Sequence, residues 1–343
     1  MRAIRVNADY EMMLFENKSG PSIINQSLEF LAFFLTDRPV YTSKKYSAEY
    51  LDHVESITQR KPEIQQDGPF ENWWGSLSDI GLERRLNSKL ESALLSPDTQ
   101  IVSKLEEIKI LSDKIYVAKA PGGMSGQHIR TFTRETLKNL EGDLLGGPLV
   151  IEPLFERIKD FSHYIFPDGM IAYENIVDRR FQYRGTIQNL LNPTQQGLSF
   201  YTDADSAEWE RFSSDLNRIK EHYFSLGAKG GFSIDSFLYL EDNVRRIRSL
   251  SEVNYRKTMG LMSWELSKKY LVDQGWSFLC LVRKKKAVSF QQIKSACEKT
   301  NVLYLSPGDT RFEIFLIGSS SAHEGLIRYE ELKSLLPDCE FPI

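Results

Sequence analysis

The stretch Gly231–Gly260, GFSIDSFLYLEDNVRRIRSLSEVNYRKTMG, decides the reading of this chain. Two apolar runs flank Glu241-Asp242-Asn243, whose side chains favour a turn, so the stretch predicts a β-hairpin. Asp235 falls on the first strand, and Glu252, Asn254 and Arg256 on the second. Residues two apart on a strand share a face, so these last three line one side, near Asp235 in a register the sequence leaves open. Two carboxylates and an amide oxygen form a hard oxygen set that suits Mg²⁺ held together with substrate phosphates. An arginine beside them can fork onto a phosphate. A solvated outer face on a half-exposed antiparallel pair shows the same spacing, so the rest of the chain has to decide.

At 343 residues the chain is long for one core and points to two or three lobes. A formal charge of −4 gives no global reason to expect nucleic acid or an acidic membrane as partner. Three cysteines, Cys280, Cys297 and Cys339, are odd in number and widely spaced, against a disulfide framework or a zinc site and for a reducing compartment. The five histidines carry no paired metal spacing. No signal peptide opens the sequence, and the most apolar segment, Ile23 to Leu35, is too short and too polar to span a bilayer. The expected location is cytoplasmic.

Strand, helix, strand and helix follow one another from Met1 to Arg60, which predicts a small α/β unit over residues 1–80. Gln65 to Gly75 reads as a polar connection, and Trp73 and Trp74 as packing residues. Glu83 to Leu95 reads as one helix. Phe161–Phe166, Met170–Val177 and Phe181–Gly185 read as an antiparallel meander. In Asp205–Leu226, Trp209, Phe212, Leu216, Ile219 and Tyr223 recur at helical steps. Beyond Met262 an α/β tail continues to the end.

A second locus is Lys119-Ala-Pro-Gly-Gly-Met-Ser-Gly126. Glycines let backbone N–H groups form an anion-binding nest, and a strand-borne lysine can neutralise a phosphate. The lysine precedes the glycines, so this is neither a Walker A loop nor a dinucleotide fingerprint, and a plain turn has the same composition. Downstream, an apolar strand ends in Glu152-Pro-Leu-Phe155. Its end can meet the edge of a purine, with Glu152 accepting from an exocyclic amine and Asp160 from ribose hydroxyls. A surface acid at a strand end is the plainer reading of Glu152 alone.

Lys89 in RRLNSK, Lys119 with its Gly-rich loop, the carboxylate in VIEPLF, then GGFSID and SEVNYR resemble, in order and spacing, the ATP-grasp superfamily. The match runs from about Gly81 to Met262. It implies an α/β (α+β) ATP-grasp fold with a small pre-ATP-grasp lobe (1–80). The ATP-grasp domain would span 81–343, with nucleotide held between two antiparallel-sheet lobes (81–155 and 156–343). By resemblance, Lys89 and Lys119 bind ATP phosphates under a lid of Gly122, Gly123, Ser125 and Gly126. Glu152 to Phe155 hold adenine and Asp160 the ribose. Asp235, Glu252 and Asn254 hold two Mg²⁺ ions, with Mn²⁺ an admissible substitute. Arg256, with Lys119, stabilises the transferred phosphoryl group.

The implied activity is a carboxylate–amine ligase acting on small-molecule or peptide substrates. A hydroxyl kinase and a non-catalytic nucleotide-binding module are the alternatives. Neither nucleic acid nor membrane is implied, and a homodimer is open. Family members usually carry a glutamate seven or eight residues past the hinge; here Lys159 and Asp160 stand there. Arg179, Arg180 and Arg184 can meet an acceptor carboxylate, or are charges at strand ends.

Overall fold

The computed structural model describes residues 2–16, 22–111, 114–123, 129–179, 182–195, 198, 205–310 and 312–343. The expected helix start at Pro21, the loop residues Ser125 and Gly126, and Arg180 lie outside these.

The first sheet is parallel, ordered Ile64–Gln65, Val40–Tyr41, Ala3–Arg5, Phe70–Asn72. The last of these falls inside the stretch read as a connection: Ile4 pairs with Glu71. Three residues are too few to show a period, so this strand has no signature of its own. Helix Ala48–Thr58 begins at the expected cap, where Ser47 accepts from the Tyr50 N–H.

The second sheet is antiparallel, ordered Gln100–Val102, Leu149–Pro153, Tyr116–Lys119, Ile129–Phe132. Among the described residues the third has nine strands, paired antiparallel. Its order is Val244–Asn254, Phe232–Glu241, Glu156–Phe166, Gly169–Val177, Tyr183–Asn189, Trp276–Lys284, Phe312–Ser319, Leu303–Tyr304, with Cys339–Glu340 added beside Trp276–Lys284. The C-terminal tail therefore extends the meander's own sheet.

The single helix expected over Glu83 to Leu95 is two, Ile80–Leu86 and Lys89–Ala93. Ser88 restarts the chain by accepting from the Leu90 N–H, a side-chain bond that competes with helix continuation. The break sets Lys89 at a helix start, facing the Gly-rich loop through its backbone N–H on the Pro121 carbonyl, 2.9 Å. Helix Ser206–Ser225 lays Trp209, Phe212, Leu216, Ile219 and Tyr223 on the hairpin sheet, in one core with Phe232, Ile234 and Ile247. Another core joins Val6, Phe30 and Val40 of the first sheet's layer to Leu279, Ile314 and Leu316 of the third sheet. Among the described residues no helix is long and apolar enough to cross a membrane.

Candidate active site

The hairpin forms as expected. Asp242 and Asn243 both take positive φ, 49° and 62°, as a two-residue type I′ turn requires. The register then sets Asp235 opposite Glu252 and Ser233 opposite Asn254. Asp235 also lies opposite Ser162, and Ser162 opposite Tyr173. Cross-strand partners share a face, so Glu252, Asp235, Ser162 and Tyr173 form one row. The second sheet faces this row with Lys119 and Glu152. Val117 is Glu152's partner in register, and Lys119 is two residues further on, which puts all three on one side. All of these residues line one cleft, together with Phe155, Asp160, Asn254 and Arg256.

Lys119 and Glu152 form an ion pair, each side chain 5% exposed. Arg248 approaches the other Glu152 oxygen at 3.8 Å while donating to Asp98 at 2.9 Å. Lys89 Nζ stands 3.3 Å from Glu252 Oε2 and donates to the Gly123 carbonyl at 2.8 Å, tying the loop to the hairpin. Gly122 has a steric reason: a Cβ there would lie 2.3 Å from the Phe15 ring. Asp160 accepts from Arg157 at 2.7 Å; burial raises its pKa against that pull. Phe155 packs against Phe237, tilted, and against Tyr239, edge-on, beside the hinge, at 5.5 and 4.6 Å between ring centroids.

Asp235 accepts from Ser162 at 2.6 Å, from Ser233 at 3.2 Å and from the Asn254 amide at 2.8 Å. Burial, and then the neighbouring Glu252 charge, push its pKa up to about 6. Burial works against Glu252 too, but Lys89, Lys119 and Arg256 outweigh it and hold its pKa below the usual carboxylate value. Arg256 donates to Glu11 at 2.7 Å and to Asn254 Oδ1 at 2.9 Å.

The donor set fits a divalent cation. Two carboxylates lie opposite each other in register, and one of them is resisted in its charged form by the other. Asn254 Oδ1 keeps a lone pair beyond the one Arg256 uses. Among the described residues no group of three or more His, Cys, Asp or Glu forms a closed metal centre. Two carboxylates and an amide would leave coordination positions for phosphate oxygens, as Mg²⁺ favours.

Lys119, Glu152, Phe155, Asp160, Asp235, Glu252, Asn254 and Arg256 therefore share one cleft, Lys89 and Gly123 reach it through Glu252, Gly122 packs against Phe15, and Ser125 and Gly126 lie outside the described residues. The sequence reading missed Ser162, Asn175, Arg157, Glu11 and the cleft-lining role of Trp74. Ser162 was within reach, being two residues from Asp160 on one strand face. Arg184 turns away from the candidate acceptor role: it is buried, donating to the Leu281 and Glu340 carbonyls. Arg246 is pinned to Glu208 on the helix that backs the sheet.

A parallel-sheet domain followed by two antiparallel sheets that grip a charged cleft defines the class: the chain has the ATP-grasp fold. Its structure is similar to the carboxyaminoimidazole ribonucleotide synthase of Aspergillus clavatus complexed with ATP. That match has a TM-score of 0.53 and 14% identity, and covers 98% of each chain. It is similar to N5-carboxyaminoimidazole ribonucleotide synthetase from Thermus thermophilus, with a TM-score of 0.53, 11% identity and 98% of each chain covered. It is also similar to the biotin carboxylase of Campylobacter jejuni in a β-γ-ATP complex, with a TM-score of 0.52 and 11% identity, over 98% of this chain and 85% of that one. No protein-family model matches the sequence, and no curated protein matches it.

Proposed function

We propose that the chain is an ATP- and Mg²⁺-dependent ligase that activates a carboxylate as an acyl-phosphate for attack by an amine. The observation that carries this reading is the Asp235–Glu252 pairing, with Lys89 on Glu252 and Arg256 beside Asn254 in the same cleft. Phosphoryl transfer needs positioning and charge neutralisation more than a protein nucleophile. Lys89 and Lys119 supply cations for the phosphates, and phosphate oxygens would compete with Glu152 for Lys119. Phe155 and the end of the Leu149–Pro153 strand receive the adenine, and Asp160 the ribose. Asp235, Glu252 and Asn254 would hold Mg²⁺, which when bound neutralises phosphate charge. Arg256 forks onto the phosphoryl group as a substrate carboxylate oxygen attacks the γ-phosphorus and ADP leaves. The amine nitrogen then attacks the acyl carbon, releasing phosphate.

Supplying candidate carboxylates and amines with Mg·ATP tests this. Amine-dependent release of ADP and phosphate in equal amounts is expected. ADP formed without free phosphate, alongside a phosphorylated hydroxyl, would replace the ligase reading with a kinase.

A further inference from the structure

Arg256 is held from outside the ATP-grasp sheets. Its Nε donates to Glu11 Oε1 at 2.7 Å, from helix Tyr10–Glu16 on the N-terminal parallel-sheet domain. Nη2 donates to Asn254 Oδ1, Nη1 to the Lys257 carbonyl at 3.3 Å, and the guanidinium carbon lies 5.6 Å from the centre of the Trp74 ring. The Arg256 and Glu11 side chains are 9% and 7% exposed. Among the described residues, Glu11 Oε2 has no hydrogen-bond partner, so the Glu11 charge is committed to Arg256. A guanidinium keeps its charge, and a buried one without a partner relocates or destabilises its surroundings.

We propose that Glu11 is a positioning residue: from the N-terminal domain it fixes the Arg256 fork toward the phosphoryl group, so that domain completes the transfer site. This rests on the ATP-grasp ligase reading above. The helix is anchored without Glu11, because Tyr10 donates to Glu83 at 2.6 Å and Asn87 donates to the Tyr10 hydroxyl; outside the helix, the Lys257 N–H donates to the Trp74 carbonyl. Removing the Glu11 charge can therefore loosen Arg256 while the domains stay docked.

Calorimetric titration of the full chain with Mg·ADP, alone and with aluminium fluoride as a mimic of the phosphoryl group in flight, tests this without a known acceptor. Wild type should bind the fluoride complex more tightly than Mg·ADP. In E11Q the Mg·ADP affinity should stay within about twofold of wild type, while the gain from fluoride falls by about tenfold or more, as misplacing a reacting-centre group does. E11D should keep part of the gain. R256Q should lose it, and E11Q/R256Q should be no worse than R256Q, since coupled residues are non-additive. Full gain in E11Q with loss in R256Q would overturn the role of Glu11 and leave the ligase reading standing. Full gain in R256Q would remove Arg256 from phosphoryl transfer and the inference with it. No Mg·ADP binding by wild type would sink both.

Discussion

Lys119 and Glu152 carry two jobs that substitution can separate. Both side chains are buried and paired, so K119M would leave a carboxylate with Arg248, 3.8 Å away, as its ion-pair partner among the described residues. A stability loss of about 3 kcal/mol is expected, at the low end for breaking a buried pair because Arg248 remains. K119M/E152Q should regain most of that stability in denaturant titration but not the nucleotide affinity. If the double variant bound Mg·ATP as wild type does, the phosphate site would lie elsewhere. Asp235 sets a pH dependence. Its folded pKa of about 6 lies above the ordinary value of 3.8, so the folded state holds its proton more tightly than the unfolded one. The resulting stability is complete below about pH 4 and lost as pH rises through about 6. Relative to D235N, wild type should lose stability between about pH 4 and pH 6 and no more above that. Parallel pH profiles for the two proteins would contradict the raised pKa.

At the scale of elements, the hairpin turn holds the Asp235–Glu252 pairing. A β-branched side chain at positive φ is strained, so N243V should cost about 1–2 kcal/mol in thermal unfolding. An unchanged melting temperature would mean that the turn does not take the type I′ form. This element was legible in the sequence because turn chemistry and a two-residue period act locally. Its register was not: three residues, Ser249 to Ser251, face Ser236 alone across an irregularity between Asp235 and Phe237, and no local signal announces it. The split of the Glu83–Leu95 helix shows capping overriding periodicity, and Ser88 was its one visible sign. Glu11 was illegible, because its contact with Arg256 spans 245 residues and exists only once the domains pack.

The whole molecule is knit by the core that runs from the N-terminal sheet into the C-terminal strands. Tyr50 donates to the Leu305 carbonyl at 2.7 Å, and His53 bonds the Tyr304 carbonyl at 2.8 Å, across the same junction. Hydrogen exchange should therefore find the amides of Ala3–Arg5 and Phe312–Ser319 opening together. Faster exchange confined to residues 1–80 would show a domain that undocks by itself. The central claim is that nucleotide and metal meet at the hairpin, and thermal unfolding of wild type and E252A with and without excess Mg·ATP tests it most directly. At about a hundred times its dissociation constant, a ligand stabilises the native state by roughly 2.7 kcal/mol. A magnesium-dependent rise in wild type that shrinks in E252A is the predicted result; an equal rise in both proteins, or none in wild type, would contradict it.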